Sequence, residues 1–227
     1  MFRYQILPVT PMQQNCTIFW CEKTGRGGAV DPGGDLPRLR EFVQQQKIAL
    51  ETILVTHGHL DHVGGVQALA QELSLPIIGP HRDDKFWIDG LPQLAERFGL
   101  SGAQSFEPDR WLVHGDRVEA AGAEFQVLHC PGHTPGHVVF FQPEDRIALV
   151  GDVLFKGSIG RTDFPRGNHE QLIESIRRHL WPLGSDVTFI PGHGPVSTFG
   201  AERASNGYVA DAVLGETPQG ETRPDPS

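Results

Sequence analysis

Alternating or continuous apolar runs at about 2–8, 15–21 and 28–30 predict strands at the start of the chain, and the run 50–55 predicts a buried one. Between them, residues 35–46 open with Asp35 and Pro37 and continue through Leu39, Phe42 and Val43 at helical spacing. A second helix is predicted to begin just after His62 and to run through Val66, Leu69, Ala70 and Leu73. A short strand at 76–79 and a helical stretch at 83–99, interrupted at Gly90 and Pro92, follow. From Trp111 the pattern returns to strands, at about 117–119, 123–129, 137–142 and 146–150. Leu172, Ile173, Ile176 and Leu180 then set a helix over 168–180, 187–190 reads as a strand, and a last helix is expected between about 199 and 211. Strands followed by helices therefore occur twice, and one domain over residues 1–211 accommodates them. Residues 212–227 are expected to form a disordered tail, because Gly215–Ser227 holds three prolines, two glycines and no large apolar side chain to bury.

Composition narrows the picture. A chain of 227 residues with 38% hydrophobic content can enclose a sizeable core, and 27 Gly with 18 Pro point to many tight turns. The net charge of −9 argues against general affinity for nucleic acid or an anionic membrane, and requires a local positive patch for any anionic substrate. No run approaches the ~18 apolar residues of a membrane span. Cys16, Cys21 and Cys130 are too few for a disulfide framework, and the odd count without a secretory signal predicts reduced thiols and a cytoplasmic location. Oligomeric state is not legible.

The chemistry concentrates in Thr56-His57-Gly58-His59-Leu60-Asp61-His62, three imidazoles and a carboxylate just after the strand-like Ile53-Leu54-Val55. Such groups are costly to bury singly, and together they suit Zn, Fe or Mn, which take nitrogen and oxygen ligands. His133 in Cys130-Pro131-Gly132-His133-Thr134-Pro135-Gly136-His137, Asp152 after Ile147–Gly151, and His193 in Pro191-Gly192-His193-Gly194 supply the complement. Each stands at the end of a strand-like run beside Gly or Pro, a loop position on a rigid element. A ligating imidazole usually hands its other N–H to an acceptor, and Asp31 is the first candidate; a turn aspartate bonded to nearby backbone is the alternative. Cys130 reads as a small core residue beside the site, with an approach to the metals as its alternative. His114, His129 and His137 read as core or surface histidines, and His81, His169 and His179 as surface ones.

This set resembles the metallo-β-lactamase superfamily, whose pattern is HxHxDH followed by a His, an Asp and a His. The stretches Val30–Gly34, Leu128–His137, Gly160–Gly167 and Phe189–Pro195 are similar to the short bacterial type II glyoxalases, hydroxyacylglutathione hydrolases without an extra C-terminal helical domain. The resemblance implies an αββα four-layer sandwich, two mixed sheets flanked by helices. It implies two divalent ions, zinc first and iron or manganese as alternatives, with His57, His59 and His133 on one, Asp61, His62 and His193 on the other, and Asp152 bridging. It further implies hydrolysis of an S-(2-hydroxyacyl)glutathione thioester such as S-lactoylglutathione, part of methylglyoxal detoxification, by metal-bound hydroxide oriented by Asp61. Two divalent ions less two carboxylates and one hydroxide leave a charge of +1 to attract the anion and stabilise an oxyanion.

For substrate contact Arg161 is the leading cation, in the place where longer relatives carry a glutathione-binding Lys, with Lys156 and Arg166 as weaker ones. Asp163 departs from the Tyr of those relatives, and only 34 residues follow His193, so fewer glutathione contacts are expected. The competing readings are a persulfide dioxygenase, which has a segment like Gly160–Phe164 and one iron, a hydrolase of another thioester or ester, and a non-catalytic metal module, which would be expected to have lost a ligand.

Overall fold

A computed structural model describes residues 2–99 and 102–215. The chain opens with β1 (Phe2–Val9), β2 (Gln14–Cys21) and β3 (Arg26–Val30), paired antiparallel in sequence. Helix α1 (Leu36–Gln45) then returns the chain so that β4 (Ala49–Leu54) lies parallel to β3. After α2 (Leu60–Val63) and α3 (Val66–Leu73), β5 (Ile77–Ile78) joins parallel to β4 and completes a five-stranded sheet. Helices α4 (Lys85–Asp89) and α5 (Leu91–Arg97) follow.

The second sheet has six strands in the order β13-β12-β9-β8-β7-β6. They are β6 (Arg117–Ala120), β7 (Ala123–His129), β8 (Val138–Gln142), β9 (Ile147–Gly151), β12 (Thr188–Pro191) and β13 (Ser197–Thr198). A small hairpin of β10 (Leu154–Phe155) and β11 (Ser158–Ile159), then α6 (His169–Ser175), stand between β9 and β12 in the chain. Only the β9–β12 pair is parallel; the rest of the sheet is antiparallel. Helices α7 (Phe199–Ser205) and α8 (Asp211–Leu214) close the described chain. No helix among the described residues is long and apolar enough to cross a membrane.

Strand alternation builds the layers. Successive side chains point to opposite faces, so a strand that is apolar on both faces serves two cores. Phe19, Leu54, Phe140 and Leu149 meet with Phe125 and Ile190 between the sheets. Their neighbours Ile18 and Ile53 face outward under Leu39, Val66 and Leu69 of the helices on the first sheet. Phe141 and Val150 face the opposite way, under Leu172, Ile176 and Phe199. Helix, sheet, sheet and helix thus form the four layers of the expected αββα sandwich. Each fully buried Leu or Phe contributes roughly 1.5–3 kcal/mol through removal of its surface from water.

Some elements differ from their predicted form. The helical stretch near 83–99 breaks at Gly90 as expected, but Pro92 sits in the first turn of α5, where its missing N–H costs nothing, and interrupts no helix. The helix over 168–180 keeps its apolar face while changing winding, α-helical to Ser175 and π-helical over Ile176–Leu180. The last helix is two short ones, and Val213 and Leu214, assigned by sequence to the tail, belong to α8. The remainder of that tail, from residue 216, lies outside the described residues.

Candidate metal centre

Parallel pairing brings like ends of strands together. At the ends of β3 and β4 this places Asp31 beside the loop that carries His57, His59, Asp61 and His62. At the ends of β9 and β12 it places Asp152 beside His193. His133, in the loop after β7, comes to the same edge. The two sheets are stitched there by Val138 N–H to the Thr56 carbonyl at 2.8 Å and Asn15 N–H to the Gly192 carbonyl at 2.7 Å.

All seven sequence-identified donors converge. His57 Nε2, His59 Nδ1 and His133 Nε2 form one group, with His59 Nδ1 lying 3.2 Å from His57 Nε2 and 3.0 Å from His133 Nε2. Asp61 Oδ2, His62 Nε2 and His193 Nε2 form a second, His193 being 3.1 Å from Asp61 and 3.4 Å from His62. Asp152 stands between them, its Oδ1 3.4 Å from His62 and its Oδ2 3.6 Å from His133 and 3.7 Å from His193.

The other face of these rings is braced. Asp31 accepts the His62 Nδ1–H at 2.9 Å and the Thr56 backbone N–H at 2.8 Å. The Thr56 hydroxyl donates to the same carboxylate, so its oxygen is left to accept the His57 Nδ1–H at 3.0 Å. Asp31 therefore supports an imidazole, and the backbone it ties down is that of Thr56, 25 residues away, rather than its own turn. His133 Nδ1–H donates to the Arg161 carbonyl at 2.7 Å. The His59 ring is met edge-on by Trp87 at 4.6 Å and Phe164 at 4.8 Å.

Charge at the site follows from burial. Burial, reinforced by neighbouring imidazoles, holds the His57 pKa well below 6.5 and that of His59 at about 3, so both rings are neutral and present lone pairs. Burial also lowers His133. At His62 and His193 burial is outweighed by Asp152 and Asp61, and both rings are pulled upward. For Asp61 and Asp152 burial acts upward but His62, with His193, wins and lowers both carboxyls. The Nδ1–H groups of His57 and His133 are spent on Thr56 and the Arg161 carbonyl, so both Nε2 lone pairs face His59 Nδ1. Asp152 Oδ1 is buried with no hydrogen-bond partner among the described residues. The nitrogen and oxygen set thus fits two divalent transition ions, His57, His59 and His133 holding one, Asp61, His62 and His193 the other, with Asp152 between.

Three features escaped the sequence reading. His137 is fully buried, the core alternative of the sequence reading, but its contacts were missed: its ring stacks on His57 at 4.6 Å and its Nε2 accepts the Asp152 backbone N–H at 3.0 Å. Asp84 is buried as well, and its carboxylate accepts Gly58 N–H at 2.8 Å, the Thr134 hydroxyl at 2.8 Å and Gly136 N–H at 2.6 Å. Burial pushes its pKa up to about 6 against those three donors. The aromatic wall of Trp87 and Phe164 is the third. The Pro-Gly-His spacing hinted at a built role for His137, but nothing in the chain pointed to Asp84.

The substrate-contact candidates fare differently. Arg161 is exposed, and its guanidinium lies over Phe164 at 4.6 Å while pairing bidentately with Asp163 at 2.7 and 2.9 Å. Its charge is therefore shared with a carboxylate. Arg166 lies over Phe86 at 4.2 Å. Lys156 is exposed in the hairpin turn after Phe155, whose ring is 6.3 Å from that of His193. Cys130 is buried among the apolar residues beneath α6, and burial raises its thiol pKa, which makes it a core residue.

A further donor group, His81, Asp83 and His129, also comes together, but its nitrogens are engaged elsewhere. Its two rings stack face to face at 4.2 Å, His81 Nδ1 accepts the Asp83 N–H, and His129 Nε2 is spent on the Pro135 carbonyl. A cleft of about 280 Å³ lined by His114, His129 and His179 holds none of the seven donors.

The family model described as the metallo-beta-lactamase superfamily matches residues 9–193. Hydroxyacylglutathione hydrolase GloC of Haemophilus influenzae is 46% identical over 206 residues, covering 90% of this chain and 97% of that protein. Among solved structures, TTHA1623 in a di-iron-bound form superposes with a TM-score of 0.81 at 36% identity, over 90% of this chain and all of that one (100%). The BLEG-1 B3 metallo-beta-lactamase gives 0.84 at 30% identity, over 91% and 99%.

Proposed function

This chain belongs to the metallo-beta-lactamase superfamily, and on that premise we propose that it is a dinuclear metal-dependent hydrolase of S-(2-hydroxyacyl)glutathione thioesters. The substrate class rests on the full-length likeness to GloC, and the metal requirement on the two donor groups that share Asp152. Divalent ions held there would supply hydroxide near neutral pH and polarise the thioester carbonyl. Zinc, Fe(II) and Mn(II) all suit the donor set, zinc being the first expectation.

The chain's own residues define the rest. Asp61, half-enclosed and tied to His193, faces the open side of the site, where its carboxylate orients the attacking water. Asp152 offsets the positive charge between the two donor groups. Trp87 and Phe164 wall off the His59 side and exclude water from it. Arg161, released from Asp163, offers its fork to a glutathione carboxylate.

The test is hydrolysis of S-lactoylglutathione by metal-analysed protein, with released thiol as the readout. Thiol release dependent on about two ions per chain supports the proposal. Oxygen uptake with glutathione persulfide, the thioester remaining intact, would overturn it in favour of a dioxygenase.

A further inference from the structure

Two loops far apart in sequence carry the three donors of the His57 group: 57–59 and the turn at 133. Both are fastened to one side chain. Asp84 Oδ2 accepts the N–H of Gly58, the residue between His57 and His59, and the hydroxyl of Thr134, the residue after His133. Asp84 Oδ1 accepts Gly136 N–H. Both glycines are required by these close approaches: a Cβ on Gly136 would lie 2.5 Å from Asp84 N, and one on Gly58 would lie 2.8 Å from Trp87 Cβ. No cation pairs with Asp84 among the ion pairs of the described residues, so three donors alone offset the cost of burying it.

We propose that Asp84 is the positioning residue of the His57 group, setting the spacing between the 57–59 loop and the His133 turn so that their three nitrogens meet at one point. It touches neither metal nor substrate and acts through Gly58, Thr134 and Gly136. Among the described residues no hydrogen bond links Asp84 to Asp61, His62 or His193, so its loss acts on one of the two metal positions. The inference rests on the dinuclear reading above.

The experiment compares wild type, Asp84→Asn and Asp84→Ala, each loaded with Zn²⁺ and titrated with a competing chelator. Asparagine keeps the shape but presents an N–H₂ to one set of donors, breaking part of the clamp. Both variants are expected to bind one zinc as tightly as wild type and the other about ten- to a hundredfold more weakly, the range found when supporting partners of ligands are removed. Val118→Ala, a cavity in the intersheet core, controls for general loss of stability and should leave both affinities unchanged. Equal weakening of both zincs in the Asp84 variants, or none, would overturn the inference. Wild type that saturates at one zinc would instead defeat the dinuclear reading beneath it. If Asp84→Ala fails to fold, Asp84→Asn decides.

Discussion

The His57 group and the His62 group share Asp152 yet are held in different ways. His57, His59 and His133 are almost closed to solvent, and Thr56, the Arg161 carbonyl and Asp84 brace them from behind. In the other group only His62 is as enclosed; the side chains of Asp61 and His193 are 20% and 29% exposed. Asp61 also lines a cleft of about 480 Å³ that runs past Gly33, Leu60 and Gly64. On the proposed dinuclear reading the difference amounts to a division of labour: a braced group to keep an ion in place and a looser, wetter one to meet an arriving substrate.

The strongest way to break that comparison is to remove what the groups have in common. Asp152→Asn should weaken both metal positions and, with several kcal/mol of transition-state charge stabilisation at stake, lower turnover by about a thousandfold. Steady-state kinetics on metal-analysed protein check this, and near-normal turnover with two ions retained would show that Asp152 is no bridge. Next, His193→Ala should leave one ion and His133→Ala the other. A chelator should strip the ion of the His62 group first from wild type, followed by metal analysis of the protein at each step. Loss of both ions together would dissolve the distinction.

A third expectation concerns pH in chelator-stripped protein. Burial depresses His57, His59, His133 and His137, so unfolded chain takes up protons near the ordinary value of 6.5 that these native rings refuse. Their contribution to stability is complete above about 6.5 and declines as pH falls toward 3. His62 and His193, pulled upward, work in the opposite sense, as does Asp84 with its pKa near 6. The enclosed rings should prevail, so the denaturant midpoint falls from pH 7 to 5; a rise would reverse the assignment. The smallest effect is at the rim: Arg161→Ala should raise KM for S-lactoylglutathione by a few-fold with kcat nearly kept, because the guanidinium is exposed and already paired. Asp163→Asn should lower KM by freeing it. Unchanged KM in both would make this pair purely structural.

The donors were legible because each lies in a short string whose chemistry has no cheap bland use: HxHxDH, and His or Asp beside a glycine within a few residues of a strand end. Strand positions were legible for a similar reason, since runs such as 50–55 carry apolar residues for both faces of one sheet. What escaped depends on partners distant in sequence. Asp84 is one of two acids in Arg82-Asp83-Asp84-Lys85, and only the arrival of Gly58, Thr134 and Gly136 distinguishes it from Asp83 beside it, which is exposed. His137 escaped because stacking on His57 and bonding to Asp152 N–H are both long-range events. The pairing of Arg161 with Asp163 was within reach, two residues apart, but its cost to substrate attraction becomes plain only with the side chains in place.

Position 161 serves two masters through separate parts of one residue. Its carbonyl orients His133, while its side chain stands over Phe164 at the surface. Every amino acid has that carbonyl. The side chain can therefore change without removing the support that the backbone gives the His133 imidazole. Backbone support and side-chain identity are decoupled at a single codon.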